Sequence, residues 1–383
     1  MAATQGLSLR ERNRSLLARQ GLLERFDAPL VEVVEAIGAM QGQAWLALPV
    51  GLWSRTSSFE PADLHRALEC GDLRWGIGLR GTLHLVSARE HPAYAVVAGV
   101  GGTDEWHRAI SETTPAMHEL RAAVLDFARS EPRTNEEIRD FVEAWVAENP
   151  GAIDPREVEA QRALKWRPIY RWSALVRAPK DGSWGNKAPA DHLAAAAPGG
   201  TPAPDLDDAL VQVIHRHLRA FGPAAADDVA SWIGWRTPPV RKRLEAMQGE
   251  LLTFEDEDGR TLYDLPDAPR PEGDTPAPPR LLGAFDSTLL AYTPKRRERI
   301  VPDALRDLVY QKANLQIRPT ILLDGFVAGT WSIEARRREA TLTLRPAAGL
   351  AGRERAALTA EASGLLRALH PAAKAHTVSV EST

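Results

Sequence analysis

Apolar positions follow helical spacing in three successive stretches, and each stretch closes on short runs of strand character. In the first, about residues 8–125, the spacing predicts a helix over Leu9–Gln20. A second is expected over Pro29–Ile37, with Asp27 as its cap. A short proline-led helix follows over 61–68, and Leu73–Ile77 with Arg80–Val86 form a hairpin pattern. Ser87 and Glu90 stand at capping-box spacing before the next helix. In the second stretch, about 126–204, Thr134–Ile138 has a capped helix start and 155–165 is helical. Ile169–Arg177 is expected as a strand with its turn at Pro179–Gly182. Residues 194–204, AAAAPGGTPAP, are expected as a link. The third stretch, about 205–270, predicts helices over 205–220, 226–232 and 239–247. It ends in a strand, a tight turn at Asp258-Gly259-Arg260 and a second strand.

Six prolines in Leu265–Pro279 mark a boundary. Beyond it, residues 280–383 hold short apolar runs, a hairpin signal at Asp324-Gly325 and one or two helices over Arg353–His370, a pattern expected of a small β-rich or barrel-like domain. Helices followed by a two-stranded ribbon have the plan of a winged helix-turn-helix. By periodicity alone, a generic α+β subdomain fits equally well.

Composition narrows the function classes. The net charge of -4 excludes a uniformly basic nucleic-acid binder but leaves room for a local basic groove. Cys70 is the only cysteine, so no internal disulfide and no thiolate-rich metal site can form. No cofactor is implied. The N-terminal residues lack the apolar core of a signal peptide, and no apolar run is long enough to span a bilayer, so a cytoplasmic protein without a membrane partner is expected.

Candidate chemistry centres on Gln41-Gly42-Gln43-Ala44-Trp45. On an extended chain Gln41 and Gln43 point to one side, whereas on a helix they lie about 200° apart. An amide cannot act as a general base near neutrality, but its carbonyl orients a water and its NH2 donates. That suits a leaving group already carrying positive charge. The same pattern also fits two polar residues flanking a turn glycine. A second signal is the run Arg162, Lys165, Arg167, Arg171, Arg177 and Lys180, six basic residues with no acid between 162 and 180 and with aromatics interleaved. It suits phosphate contact, or a solvated basic surface. Lys295–Arg299 and Arg336–Arg338 are smaller basic clusters. The turn over Glu255–Asp258 is acidic, which points to a structural or protein-contact role.

Several ordered blocks carry a family resemblance. They are Gln41-Gly42-Gln43 with Trp45, Leu52-Trp53-Ser54-Arg55, Arg80–Val86, Leu218–Ala224, Ala284–Tyr292, Arg318–Gly325 and Gly329-Thr330-Trp331. Together the chain resembles the AlkZ-type DNA glycosylases, the winged-helix enzymes of the crosslink-repair class. The resemblance implies an α+β fold of three tandem winged helix-turn-helix motifs in a C-shaped arrangement with a C-terminal β-barrel. It implies hydrolysis of N7-alkylated purines from double-stranded DNA, unhooking of interstrand crosslinks, and self-resistance in producers of genotoxic natural products. The family's paired catalytic side chains fall on Gln41 and Gln43, in its Gln-x-Gln branch. Trp45, Trp53, Arg55, Thr82 and His84 are then candidates for lining the site or touching DNA. Core packing for the tryptophans, an acid partner for Arg55 and a structural role for His84 remain alternatives. A monomer is expected. The rival functions are a non-enzymatic winged-helix DNA-binding protein and a protein–protein scaffold.

Overall fold

The computed structural model describes residues 6–101, 115–169, 172–185, 191–195, 202–336 and 338–381. Two compact units form, one from Met1–Arg66 with Ile214–Thr383 and one from Ala67–Val213.

The first unit opens with α1 (Leu9–Arg19), started by a complete Ser8–Glu11 capping box that the apolar spacing alone does not reveal. α2 (Leu30–Ile37) begins one residue after Pro29, which makes no side-chain cap. Asp27 is therefore not the cap expected of it; its carboxylate accepts from Ser57 Oγ at 3.2 Å. Gly38, at φ 76°, ends α2 in a conformation that favours glycine. A two-residue strand, β1 (Met40–Gln41), leads through Gly42 to α3 (Ala47–Arg55) and α4 (Pro61–Glu69).

The second unit contains β2 (Leu73–Ile77), β3 (Leu83–Ser87), α5 (His91–Gly101), α6 (Pro115–Phe127), α7 (Asn135–Glu148), α8 (Pro155–Ala163), β4 (Leu175–Arg177) and β5 (His192–Ala194). Its strands run in the order β3-β2-β4-β5, all antiparallel. The expected strand over 169–177 is confined to its last three residues. Trp166, Ile169 and Trp172 instead turn into a core with Leu120, Ile138 and Val142, because burying three large apolar side chains outweighs an extended backbone there. The capping box of α7 is complete: Glu137 N donates to Thr134 Oγ1 at 3.1 Å and Thr134 N to Glu137 at 2.7 Å. Part of the expected link over 194–204, residues 196–201, lies outside the described residues.

The chain returns to the first unit along α9 (Leu206–Phe221), followed by α10 (Ala226–Ile233), α11 (Thr237–Ala246) and the antiparallel hairpin β6 (Leu252–Glu255) and β7 (Thr261–Asp264). The acidic turn of this hairpin is consumed internally. Asp256 accepts from Arg260 Nε at 2.8 Å, Glu257 pairs with Arg12, and Asp258 pairs with Arg296. The proline-rich segment is also fixed in place. Prolines lack the N–H but keep the carbonyl, and α1 arginines donate to that row: Arg10 to Gly273, Arg14 to Thr275 and Arg19 to Pro269.

The remaining elements are β8 (Arg280–Leu282), α12 (Arg306–Val309), β9 (Tyr310–Gln311), β10 (Gln316–Ile317), β11 (Thr320–Leu323), β12 (Phe326–Arg336), β13 (Glu339–Pro346), α13 (Gly352–Leu369) and β14 (Ala375–Val380). Their main sheet runs β14-β13-β12-β11-β8. The fold is α+β as expected, but the barrel is not: among the described residues this sheet is open, ending at β8 and β14. One face is covered by α13, so Leu358, Leu365 and Leu366 bury the surface that closure would otherwise have to hide. α3 joins the same core through Val50, with Trp53 packed at its margin. No helix among the described residues is long and apolar enough to cross a membrane.

Candidate active site

The Gln41–Trp45 segment lies between β1 and α3, so whatever anchors those two elements anchors the segment. α3 is anchored by apolar packing against the C-terminal sheet and by Ser54, whose hydroxyl donates to the carbonyl of Leu281. The Met40 side chain reaches Gly51 of α3, since a Cβ there would stand 2.0 Å from Met40 Cε.

Gln41 itself is 5% exposed, and its backbone N–H donates to Ser287 Oγ at 3.0 Å. That hydroxyl in turn donates to the carbonyl of Ala39 at 3.1 Å. Ser287 opens a short 3-10 turn capped by Asp286, whose carboxylate accepts from Thr288 N at 3.0 Å and Thr288 Oγ1 at 2.8 Å. Asp286 also receives a two-pronged pair from Arg55, at 2.8 and 3.0 Å, with both side chains almost fully buried. Arg55 donates further to Gly51 O and to Gln20 Oε1. Gln20 closes the network on the carbonyls of Ile37 and Ala220. A chain of buried polar contacts thus runs from α1 through α3 to the strand bearing Gln41.

Gln43 is exposed. The extended backbone assumed for a shared face covers only Met40–Gln41; the chain bends at Gln43. The two amides therefore differ in depth, one buried and one at the surface. Trp45 is half-buried, its ring 5.6 Å from that of His65. Trp53 packs against the C-terminal core and lies under the Arg25 guanidinium, 4.5 Å from its ring centre. Of the two partners expected for Arg55, a phosphate or an acid, the structure supplies the acid.

Thr82 and His84 belong to the second unit. Thr82 Oγ1 donates to Leu79 O at 3.1 Å. His84 is 3% exposed, and burial, with the charge of Arg80, pushes its imidazole down to about 3. Its Nδ1 stands 3.0 Å from the carbonyl of Thr82, so the neutral ring places its proton there. The basic run divides. Arg162 pairs with Glu143 and Lys180 with Glu137, both acids on α7. The Lys180 hydrogen bond, together with the Thr134 N–H, holds Glu137 at about 2. Arg177 is half-buried, while Lys165 and Arg167 are exposed. Arg171 lies outside the described residues. In the second cluster Arg299 is buried beneath the backbone of Arg12, Phe221 and Pro223, a structural role.

Gln20 lies outside the blocks that carry the resemblance; Asp286 and Ser287 lie within one, Ala284–Tyr292, but nothing in that block shows their contacts with Arg55 and Gln41.

Comparison with known proteins gives one consistent answer. The family model for DNA glycosylase AlkZ-like proteins matches residues 34–368, a span that holds Gln41, Arg55 and Asp286. An interstrand DNA cross-link repair glycosylase of Streptomyces sahachiroi is 28% identical over 336 residues, covering 83% of this chain and 85% of that protein. The solved structure of Streptomyces sahachiroi DNA glycosylase AlkZ aligns with a TM-score of 0.77 over 98% of this chain and 100% of that one, at 23% identity, a likeness of fold. With the matched span covering most of its length, the chain belongs to the AlkZ-like family of DNA glycosylases, hydrolases of N-glycosyl bonds.

Proposed function

We propose that this glycosylase removes N7-alkylated purines from double-stranded DNA and unhooks interstrand crosslinks, with Gln41 and Gln43 as its catalytic pair. The observation that carries the proposal is the placement of Gln41: a buried amide residue at the end of a pinned strand, two positions from an exposed glutamine, within the span matched to the family.

An N7-alkylated purine is cationic, so it leaves without being protonated. Positive charge then develops on the deoxyribose. What the protein supplies is a held water and dipoles aimed at the sugar. The amide carbonyls of Gln41 and Gln43 orient that water, and the rigid backbone beneath Gln41 removes the cost of organising it. An amide pair stabilises the sugar cation less than a carboxylate would, so the enzyme depends on the reactivity of the damaged base. Trp45 lines the site beside them. Lys165 and Arg167 contact phosphates and set register without reading sequence. The succession α9, α10, α11 and the β6–β7 hairpin supports a winged-helix plan for 205–270. The same plan is proposed for 8–125 and 126–204, with 280–383 as a β-rich module and the protein working as a monomer. Kinship to an interstrand DNA cross-link repair glycosylase supports a role in crosslink repair.

The test is a duplex carrying one 7-methyl-2′-deoxyguanosine beside an undamaged control. Alkali-labile strand breaks at the lesion alone are the expected result. Breaks in neither duplex, with tight DNA binding retained, would contradict the substrate assignment.

A further inference from the structure

We infer that Ser287 is a positioning residue for catalysis: its hydroxyl holds the Gln41 backbone in the place the reaction requires, and the Arg55–Asp286 pair holds Ser287. The inference rests on the role proposed for Gln41.

A serine hydroxyl has one proton and two acceptor sites. Here both functions are used on the same strand, accepting from Gln41 N and donating to Ala39 O. The hydroxyl thereby spans the two backbone positions on either side of Met40. Ser287 is 6% exposed and Gln41 5%, so no bulk water replaces the contact if it is lost. The turn that presents Ser287 is not held by its own backbone alone. Asp286 caps it, and the guanidinium of Arg55 fixes Asp286 from α3, the helix that follows Gln43. One polar network therefore ties the strand bearing Gln41 to α3. That fits a site whose amides must hold a water accurately, since a displacement of about 1 Å in such a group costs roughly 100-fold in rate.

Ser287→Ala removes the hydroxyl and leaves the Gln41 N–H buried without its partner. The control is Tyr292→Phe, which deletes another buried hydroxyl of the same unit, bonded to Phe221 O and not to the glutamine segment or to α3. Two readouts are taken on the full chain. In single-turnover release of 7-methylguanine, Ser287→Ala is expected to lose about tenfold or more in the rate at saturating enzyme, with DNA affinity within about twofold of wild type. Tyr292→Phe is expected to keep its rate while losing similar thermal stability, and Ser287→Thr, which keeps the hydroxyl, is expected to recover most of the rate. The second readout is amide hydrogen exchange at Gln41, protected in wild type and exposed in Ser287→Ala. An unchanged rate per folded molecule, or unchanged protection of the Gln41 amide, overturns the inference. A wild type that releases no base but shows the predicted exchange pattern would overturn the proposed function and leave Ser287 as an anchor of the backbone only.

Discussion

Removing the carboxylate of Asp286 tests the network where it carries the most energy. In Asp286→Ala the Arg55 guanidinium stays in place with its side chain 2% exposed and keeps only Gly51 O and Gln20 Oε1 as acceptors. Truncating one partner of a buried ion pair costs about 3–5 kcal/mol, most of it from the charge left behind. Thr288 N and Oγ1 lose their acceptor as well, which adds about 1 kcal/mol. The expected loss of about 4–6 kcal/mol is a large share of the ~5–15 kcal/mol by which domains are stable. Arg55→Met/Asp286→Ala removes both charges, so its cost is expected to fall short of the sum of the single variants by about 2 kcal/mol or more. Urea unfolding of the four proteins measures each quantity. A cost below about 1 kcal/mol for Asp286→Ala, or strict additivity in the double variant, would refute the description of the pair as buried and coupled.

Acid should weaken the second unit. Burial, as the leading cause in each case, lowers His84 to about 3, His91 to about 4 and His192 to about 3, all below the ordinary 6.5. The unfolded chain takes up these protons first, so the stabilisation is complete above pH 6.5 and is lost as pH falls toward the folded values, at about 1.4 kcal/mol per pH unit per histidine. Hydrogen exchange in residues 67–213 at pH 7 and pH 5 measures this, and equal protection at the two values would contradict it. Lys165→Ala/Arg167→Ala is expected to weaken DNA binding and to flatten its salt dependence by about two in slope. Of two single variants, Arg167→Ala, at an exposed position, is expected to change the slope more than Lys180→Ala, whose cation is paired with Glu137. Equal effects would assign the DNA contact differently.

The sequence was most legible where structure is local. Thr134 and Glu137 announce α7 at capping-box spacing, and the turn glycine Gly259 announces the β6–β7 hairpin. Failures came where a distant partner decides the outcome. Arg55 and Asp286 lie 231 residues apart, so nothing beside either shows the pair. The run from Arg162 to Lys180 contains no acid, yet Glu143 and Glu137 approach from α7, and this proximity is invisible along the chain. Trp166 and Trp172 stood among the aromatics interleaved with that basic run, while the core claimed both. The open C-terminal sheet was likewise hidden, because alternating apolar runs describe strands without saying whether a helix such as α13 will cover the face. The glutamine pair could be picked out from its spacing and its family likeness. Its support by Ser287 could not, because that contact joins segments 246 residues apart.

The decisive measurement is a time course of 7-methylguanine release from lesion-bearing duplex by wild type and by Gln41→Ala/Gln43→Ala, with folding and DNA affinity of both checked in parallel. Release by the wild type, with loss of at least about 100-fold in the folded, DNA-binding double variant, is the predicted result. Equal rates from the two proteins would contradict the assignment of catalysis to Gln41 and Gln43.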